Sequence, residues 1–549
     1  MRVTKGAQIV AGTALLALAV AACGGSSDSS GTGAGATAAG GNPNAVRVEI
    51  AEPQHDLIPG NTTESSGAEV LNALFVGLVD YDAEKKPYNR VAESIESDDQ
   101  TTWTVKLKDG YKWHNGEPVV AQNFVDSWNY TANGANAQEG NYFFGSVEGY
   151  DELNPGEGKT ATATTLKGLK VVDDKTFTVK LKNPFSGFPT MLGYTAFYPL
   201  PKAAFESEGK LKADYGGNPV GNGPFKISKP WKRGSDQTIS LVRDDAFKEG
   251  KAKIDAVDFK IYTDLSTAFN DLRAGNLDIM DQLPPEGIAT AKNEFGDRYI
   301  EQPSSGIGYI GFPTKSGAEY AKNADVRKAI SMAIDRKTIT EQVFSGTRVP
   351  ADDLISPVVS GYRQGACGEA CTYDPAKAKQ LFDSAGGGKM GPIELGYNAD
   401  GGHKEWIEAV ANNLRTNLGV EVTPKPVEKF ASILDDLGDR KWSGAFRMAW
   451  LMDYPSPENY LRPQYGTGGS SNYSEFSDKK FDELVTKGDA ANSLEEGIKF
   501  YQQADDMILK ELPYIPVYFY QTNGAYSQHV KNVKIDPFER IDLFNVERA

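Results

Sequence analysis

The chain has 549 residues, with 58 Lys+Arg against 74 Asp+Glu, a formal net charge of −16 and three cysteines. Such acidity excludes a protein that works by neutralising nucleic-acid phosphates. The length exceeds what one hydrophobic core supports, so two or three lobes are expected.

The chain opens MRVTKGAQIVAGTALLALAVAACGG. Arg2 and Lys5 form a positive start, and the apolar run Ile9 to Ala22 is too short for a membrane-spanning helix, which needs about 20 apolar residues. Residues 1–22 therefore read as a signal peptide. The end of the run, Val20-Ala21-Ala22-Cys23, resembles the bacterial lipobox, in which the cysteine becomes the lipidated N-terminus; an ordinary cleavage site is the plainer alternative. Removing residues 1–22 takes away Arg2 and Lys5 and leaves a charge of −18. Residues 23–44 follow as the lipidated Cys23 and a tether of Gly, Ser, Ala and Thr, too polar to offset its ordering entropy. Its GTGAGATAA stretch is no nucleotide loop, because no strand precedes it and no helix follows.

Beyond the tether, VRVEI (46–50) alternates as a strand. Residues 68–79 repeat apolar positions at helical spacing. Two segments, WTVKLKDGYKW and TFTVKLKNPF, put Trp103, Val105, Leu107 and then Phe177, Val179, Leu181 on single strand faces; each follows paired aspartates suited to turns. They read as two similar hairpins of one β-rich subdomain. Residues 117–130 read as a helix with Pro118 in its first turn, and 264–275 as a helix closed by Gly275, followed by a short strand in LDIMDQL. Residues 325–344 are the clearest amphipathic helix. Residues 404–418 form another, ended by Gly419 before VEVTP, and 494–511 a late one before the aromatic run PYIPVYFY. Helix and strand alternate throughout, which predicts an α/β body.

Catalytic patterns are missing. His55, His114, His403 and His529 are far apart in sequence; there is no His-Glu-x-x-His, no Gly-x-Ser-x-Gly, no phosphate loop and no Cys-x-x-Cys. No cofactor and no metal site is expected. Cys367 and Cys371 suit a disulfide in an exported chain; a metal pair is the alternative, but no His lies nearby to complete it. One segment carries chemistry: FRMAWLMDYPSPENYL, 446–461. Arg447 and Asp453 stand in a run that reads as buried, so each needs a partner. They either satisfy each other or face a cavity and a charged ligand.

Taken in order, LFVGLVDYD, WTVKLKDGYKWHNGEPVVAQNFVDSW, GNGPFKI, DVRKAISMAIDRKTI, AWLMDYPSPENYL and PYIPVYFY resemble the bacterial extracellular solute-binding proteins of family 5, the peptide-binding lipoproteins of ABC importers. The resemblance implies a two-lobed, periplasmic-binding-protein-like α/β fold of type II with an extra β-rich subdomain in lobe I. It places lobe I at 45–85, 201–303 and 519–549, the inserted subdomain at 86–200 and lobe II at 304–518. It implies that Asp453 pairs with a peptide α-ammonium, that Arg447 meets its carboxylate and that Trp450 lines a side-chain pocket. Backbone at Ala449 and Leu451 would bond the peptide as an added strand. Ser65 and Ser66, within Glu64 to Gly67, would form the opposite edge, and Tyr142 a pocket wall. Members often carry a cysteine two residues before the aspartate; Leu451 stands there, so that bridge is absent. The implied setting is the outer face of the cell membrane, as a lipid-anchored monomer serving an importer's permease. An oligosaccharide binder, with Trp103, Trp113 and Trp442 lining the cleft, and a secreted hydrolase are the rival classes.

Overall fold

The computed structural model describes residues 44–549, apart from 83, 84 and 157. The leader, Cys23 and the tether to residue 43 lie outside the described residues. Among those described, no helix is long and apolar enough to cross a membrane.

An eleven-stranded mixed sheet organises the body. In one half, Val46–Ile50 runs parallel to Ala256–Ile261 and to Ile279–Met280, with Thr238–Arg243 and Phe225–Ile227 added antiparallel outside. In the other, Ala445–Trp450 and Val422–Val427 flank Ile393–Asn398, both parallel to it. Two 13-residue strands, Tyr299–Gly311 and Tyr514–Tyr526, pair antiparallel and join the halves. Their register shifts between Pro303 and Ile307, so Ser304, Ser305 and Gly306 bulge against Tyr520. Gly306 suits that place: an added Cβ would lie 2.8 Å from the Tyr520 ring. Where the ladder opens, the short strand Arg348–Pro350 takes up Tyr518–Tyr520.

Buried side chains gather into two large cores on either side of these strands. One takes the chain from Val46 to Ile279 and again from Val530 to Val546. The other runs from Ile307 to Phe519. Tyr454 packs in the first core although Met452 and Tyr460 belong to the second, so the segment after Asp453 bridges the two. A four-stranded antiparallel sheet, in the order Ala92–Glu96, Thr102–Leu107, Thr176–Lys180, Leu169–Asp173, adds Trp103, Val105, Phe177 and Val179 to the first core. Asp99 accepts the N–H groups of Thr101 and Thr102, and Asp173 that of Lys175, the turn chemistry their sequence suggests.

Several elements depart from the pattern reading. The helix expected over 325–344 is broken: Ala324–Met332 is α-helical, then Asp335 caps a new turn by accepting the Thr338 N–H, and Ile339–Val343 is a wide π-turn. The break has a cause. Arg336 is buried and spends its guanidinium on the carbonyls of Ser331 and Pro516, which a continuous helix would not present to it. Pro118 forms an isolated extended bridge with Lys112, and the helix begins only at Ala121, where the Asn123 side chain accepts the Val120 N–H. The helix read over 68–79 spans Ser65–Leu74; Asn222 binds both the N–H and the carbonyl of Val76 and draws the chain out of helical geometry. The LDIMDQL strand is only Ile279–Met280. By contrast, Leu265–Ala274 and Lys404–Leu418 end at Gly275 and Gly419, both at positive φ. Cys367 and Cys371 are joined by a disulfide.

Candidate functional site

Of three cavities, two lie along the seam between the cores and the third lies within the half built on the first core. The smallest, about 100 Å³, is lined by Glu64, Ser65, Tyr194, Leu451, Met452 and Asp453, among others. It shares Ser65, Glu69 and Glu539 with a larger one of about 620 Å³, whose far wall holds Arg348, His403, Arg447 and Tyr520. A third, about 730 Å³, is lined by Asp80, Arg90, Glu249, Asp536 and Arg540. Its charges satisfy one another: Arg90 lies 2.9 Å from Asp80 and 3.0 Å from Glu249, and Arg540 lies 2.7 Å from Asp536. The first two cavities contain charges without counter-charges and form the candidate site.

Asp453 follows the strand Ala445–Trp450, where the chain turns toward the helix Pro457–Tyr465. Asn459 holds it from both sides: the amide Nδ2 donates to the carboxylate at 2.8 Å, and Oδ1 accepts the Asp453 backbone N–H at 2.8 Å. Tyr194 donates a further hydrogen bond. Among the described residues no cation pairs with Asp453. Burial raises its pKa to about 7, Asn459 and Tyr194 oppose the rise, and Glu458 adds to it.

Arg447 is 6 % exposed and has no carboxylate partner among the described residues. It donates to Asn398 Oδ1 and to the Tyr520 hydroxyl, both at 3.1 Å, and lies over the Phe430 ring, while its Nε is buried without an acceptor. Arg447 and Asp453 therefore do not satisfy each other: among the described residues, one is a cation without an anionic partner and the other a carboxylate without a cationic one. Burial, and then the charges of Arg447 and Arg348, push the His403 imidazole down to about 2, so it faces the cavity neutral. Burial raises Tyr520, but Arg447 and Arg348 outweigh it and the net shift is downward.

The remaining expected residues fall in distinct places. Ala449 pairs with Gly308 on one edge of its strand, and the other edge meets Ile393–Asn398 only through Ala445 and Phe446. Beyond Phe446 that edge carries no ladder. Leu451 lines the small cavity. Trp450 lines none of the three and donates its indole N–H to Asn459 Oδ1 at 3.2 Å. Tyr142 stacks on Phe143 at 4.3 Å between ring centres; burial and then the charge of Asp453 raise its hydroxyl well above the usual value. Ser65 and Ser66 lie in the first turn of Ser65–Leu74, whose cap is the Glu64 carboxylate accepting the Gly67 N–H at 2.9 Å. That segment meets the cavity as a helix N-terminus, not as an extended edge. Trp103, Trp113 and Trp442 are core residues and line none of the three cavities. Pattern reading missed Tyr194, Asn459, Asn398, Arg348 and Tyr520. Asn459 had a nearby signal in the PENYL that follows the aspartate, and Tyr520 closes the aromatic run PYIPVYFY.

A sequence model of the bacterial extracellular solute-binding proteins, family 5 Middle, matches residues 86–472. The oligopeptide-binding protein OppA of Bacillus subtilis is 28% identical over 502 residues, 89% of this chain and 90% of that protein. Among solved structures, the murein tripeptide binding protein MppA of Escherichia coli superposes with a TM-score of 0.79 at 24% identity, over 92% of this chain and 98% of that one. Haemophilus influenzae OppA in complex with RPPGFSPFR gives 0.78 at 25% identity, over 92% and 99%. These neighbours share the two-lobed fold.

Proposed function

The chain belongs to the bacterial extracellular solute-binding proteins of family 5, and from that membership we propose that it captures peptides, from di- to oligopeptides, between its two lobes and delivers them to the permease of an ABC importer. One observation carries the reading: Asp453 and Arg447 present opposite, uncompensated charges to adjoining cavities. A zwitterionic chain supplies the missing counter-charge to each. Its α-ammonium meets Asp453, held by Asn459 and Tyr194, and its carboxylate is drawn toward Arg447. Between them, the unladdered edge beyond Phe446 offers main-chain groups at Ala449 and Leu451 to any peptide, whatever its side chains. Trp450 holds Asn459 rather than walling a pocket, and Tyr142 stands behind Asp453.

Lobe I takes 45–85, 201–303 and 519–549, with 86–200 inserted, and lobe II takes 304–518; they turn about the bulge at Ser304–Gly306. Ligand touching both shifts the equilibrium toward the closed form. No bond of the ligand needs to be broken. Upstream, Cys23 carries the lipid that keeps a monomer at the outer face of the membrane, two acyl chains sufficing for stable attachment.

The reading is tested by calorimetric titration with a peptide and its N-acetylated form. The acetylated peptide, and the free peptide on Asp453→Asn, should bind more weakly by about 2–5 kcal/mol, the cost of breaking a buried charge pair. Equal binding of the free and blocked peptides would show that Asp453 does not hold the terminus.

A further inference from the structure

The cavity of about 620 Å³ has unlike walls. Arg348 and Arg447, on the lobe II side, suit a carboxylate. On the lobe I side stand Glu49, Glu69, Asp281 and Glu539, more negative charge than the fold consumes. Glu69 is used, since its carboxylate accepts the Ile541 N–H. Glu539 is used by the Ser304 hydroxyl, at 2.9 Å. Asp281 accepts backbone N–H groups from its own turn.

Glu49 is different. It is 6 % exposed, lines the cavity, and has no hydrogen-bond or ion-pair partner among the described residues. Two cations lie close enough in the sheet to have served it. Lys260, its register partner, turns its ammonium to the Thr238 hydroxyl at 3.2 Å. Arg47, two residues earlier on the same strand face, is spent on Asp278 at 2.9 Å. A carboxylate enclosed in this way, with nothing to satisfy it, is costly unless something from outside arrives. Burial and then Asp281 push Glu49 up to about 8, and burial and then Glu539 push Asp281 up to about 7. Both carboxyls are thus drawn toward their protonated forms, a tendency that a bound cation would reverse.

We propose that this wall is a specificity pocket for a cationic side chain of the bound peptide, an ammonium or guanidinium group entering between Glu49 and Asp281 while the peptide's carboxylate turns to the arginines opposite. The inference rests on the peptide reading above and deepens it: the cargo is peptide that carries a basic residue.

The test titrates the full chain with Ala-Ala-Ala, with the three tripeptides that place lysine at each position in turn, and with the corresponding glutamate peptides. At one position lysine should bind at least about tenfold tighter than alanine, and glutamate there more weakly than alanine. In the double variant Glu49→Gln, Asp281→Asn the lysine-to-alanine ratio should fall toward one. Uniform binding of all the peptides overturns the specificity while leaving the peptide reading intact. A lysine advantage that survives the double variant also overturns it. Failure of every peptide, trialanine included, overturns the peptide reading and this inference with it. The comparison on the unaltered protein stands whether or not the double variant folds.

Discussion

Asp453 is held with its carboxyl pushed up to about 7, and that shift has two consequences of opposite sign. In the empty protein it is a cost. The unfolded carboxyl ionises near pH 4 and the folded one only near 7, so the stability Asp453 contributes falls as pH rises through that window. In the proposed complex the ligand's ammonium would favour the ionised form, so binding would expel the proton. Peptide affinity should therefore drop as pH falls below about 7, by up to about tenfold per unit, and level off above it until the peptide's own amine loses its proton near 8. Calorimetry from pH 5 to 7.5 checks this; a flat profile would separate Asp453 from the ammonium. The two charges themselves were legible in the sequence, because Arg and Asp stand out in an apolar run. Their partners were not. Tyr194 lies more than 250 residues before Asp453 and Tyr520 more than 60 after it, and although Tyr520 ends the PYIPVYFY run, nothing local says which tyrosine meets which charge.

At the scale of elements, one contact outside the bulged strands would serve as a latch in the proposed closure. Ser186, beside the first-core residues Phe185 and Phe188, donates its N–H at 2.8 Å and its hydroxyl at 3.1 Å to the Asp489 carbonyl at the end of the helix Lys479–Asp489. Beneath it Asp489 binds Arg462 and the Tyr501 hydroxyl, and Arg462 reaches Glu458 at 2.8 Å, on the helix that carries Asn459. The latch is thus continuous with the group that holds Asp453. Ser186→Ala removes one hydrogen bond of this contact, about 0.5–1.5 kcal/mol, and under the proposed closure should weaken peptide binding by roughly two- to tenfold with little change in melting temperature. An unchanged affinity would show that the latch does not bear on closure. Helices closed by a terminal glycine were legible, as Leu265–Ala274 and Lys404–Leu418 show; the broken helix near Arg336 was not, because its apolar stripe runs on while one buried guanidinium interrupts the backbone.

For the whole molecule, two cores joined by two long paired strands leave one seam, and the cavities of Asp453 and Arg447 lie in it. Length implied several lobes, but composition could not say that Tyr454 would root the ligand-facing turn of one core in the other. The lipid proposed on Cys23, with the tether expected after it, would hold this body near its transporter and raise the local concentration of loaded protein there. Cys23→Ser should move the protein from the membrane fraction to the medium; retention in the membrane would contradict the anchor. The central claim is that the seam holds a peptide. Mass spectrometry of what freshly purified protein releases on denaturation tests it most directly: the account predicts peptides with free α-amino termini, and stoichiometric release of an oligosaccharide or another non-peptide solute would contradict it.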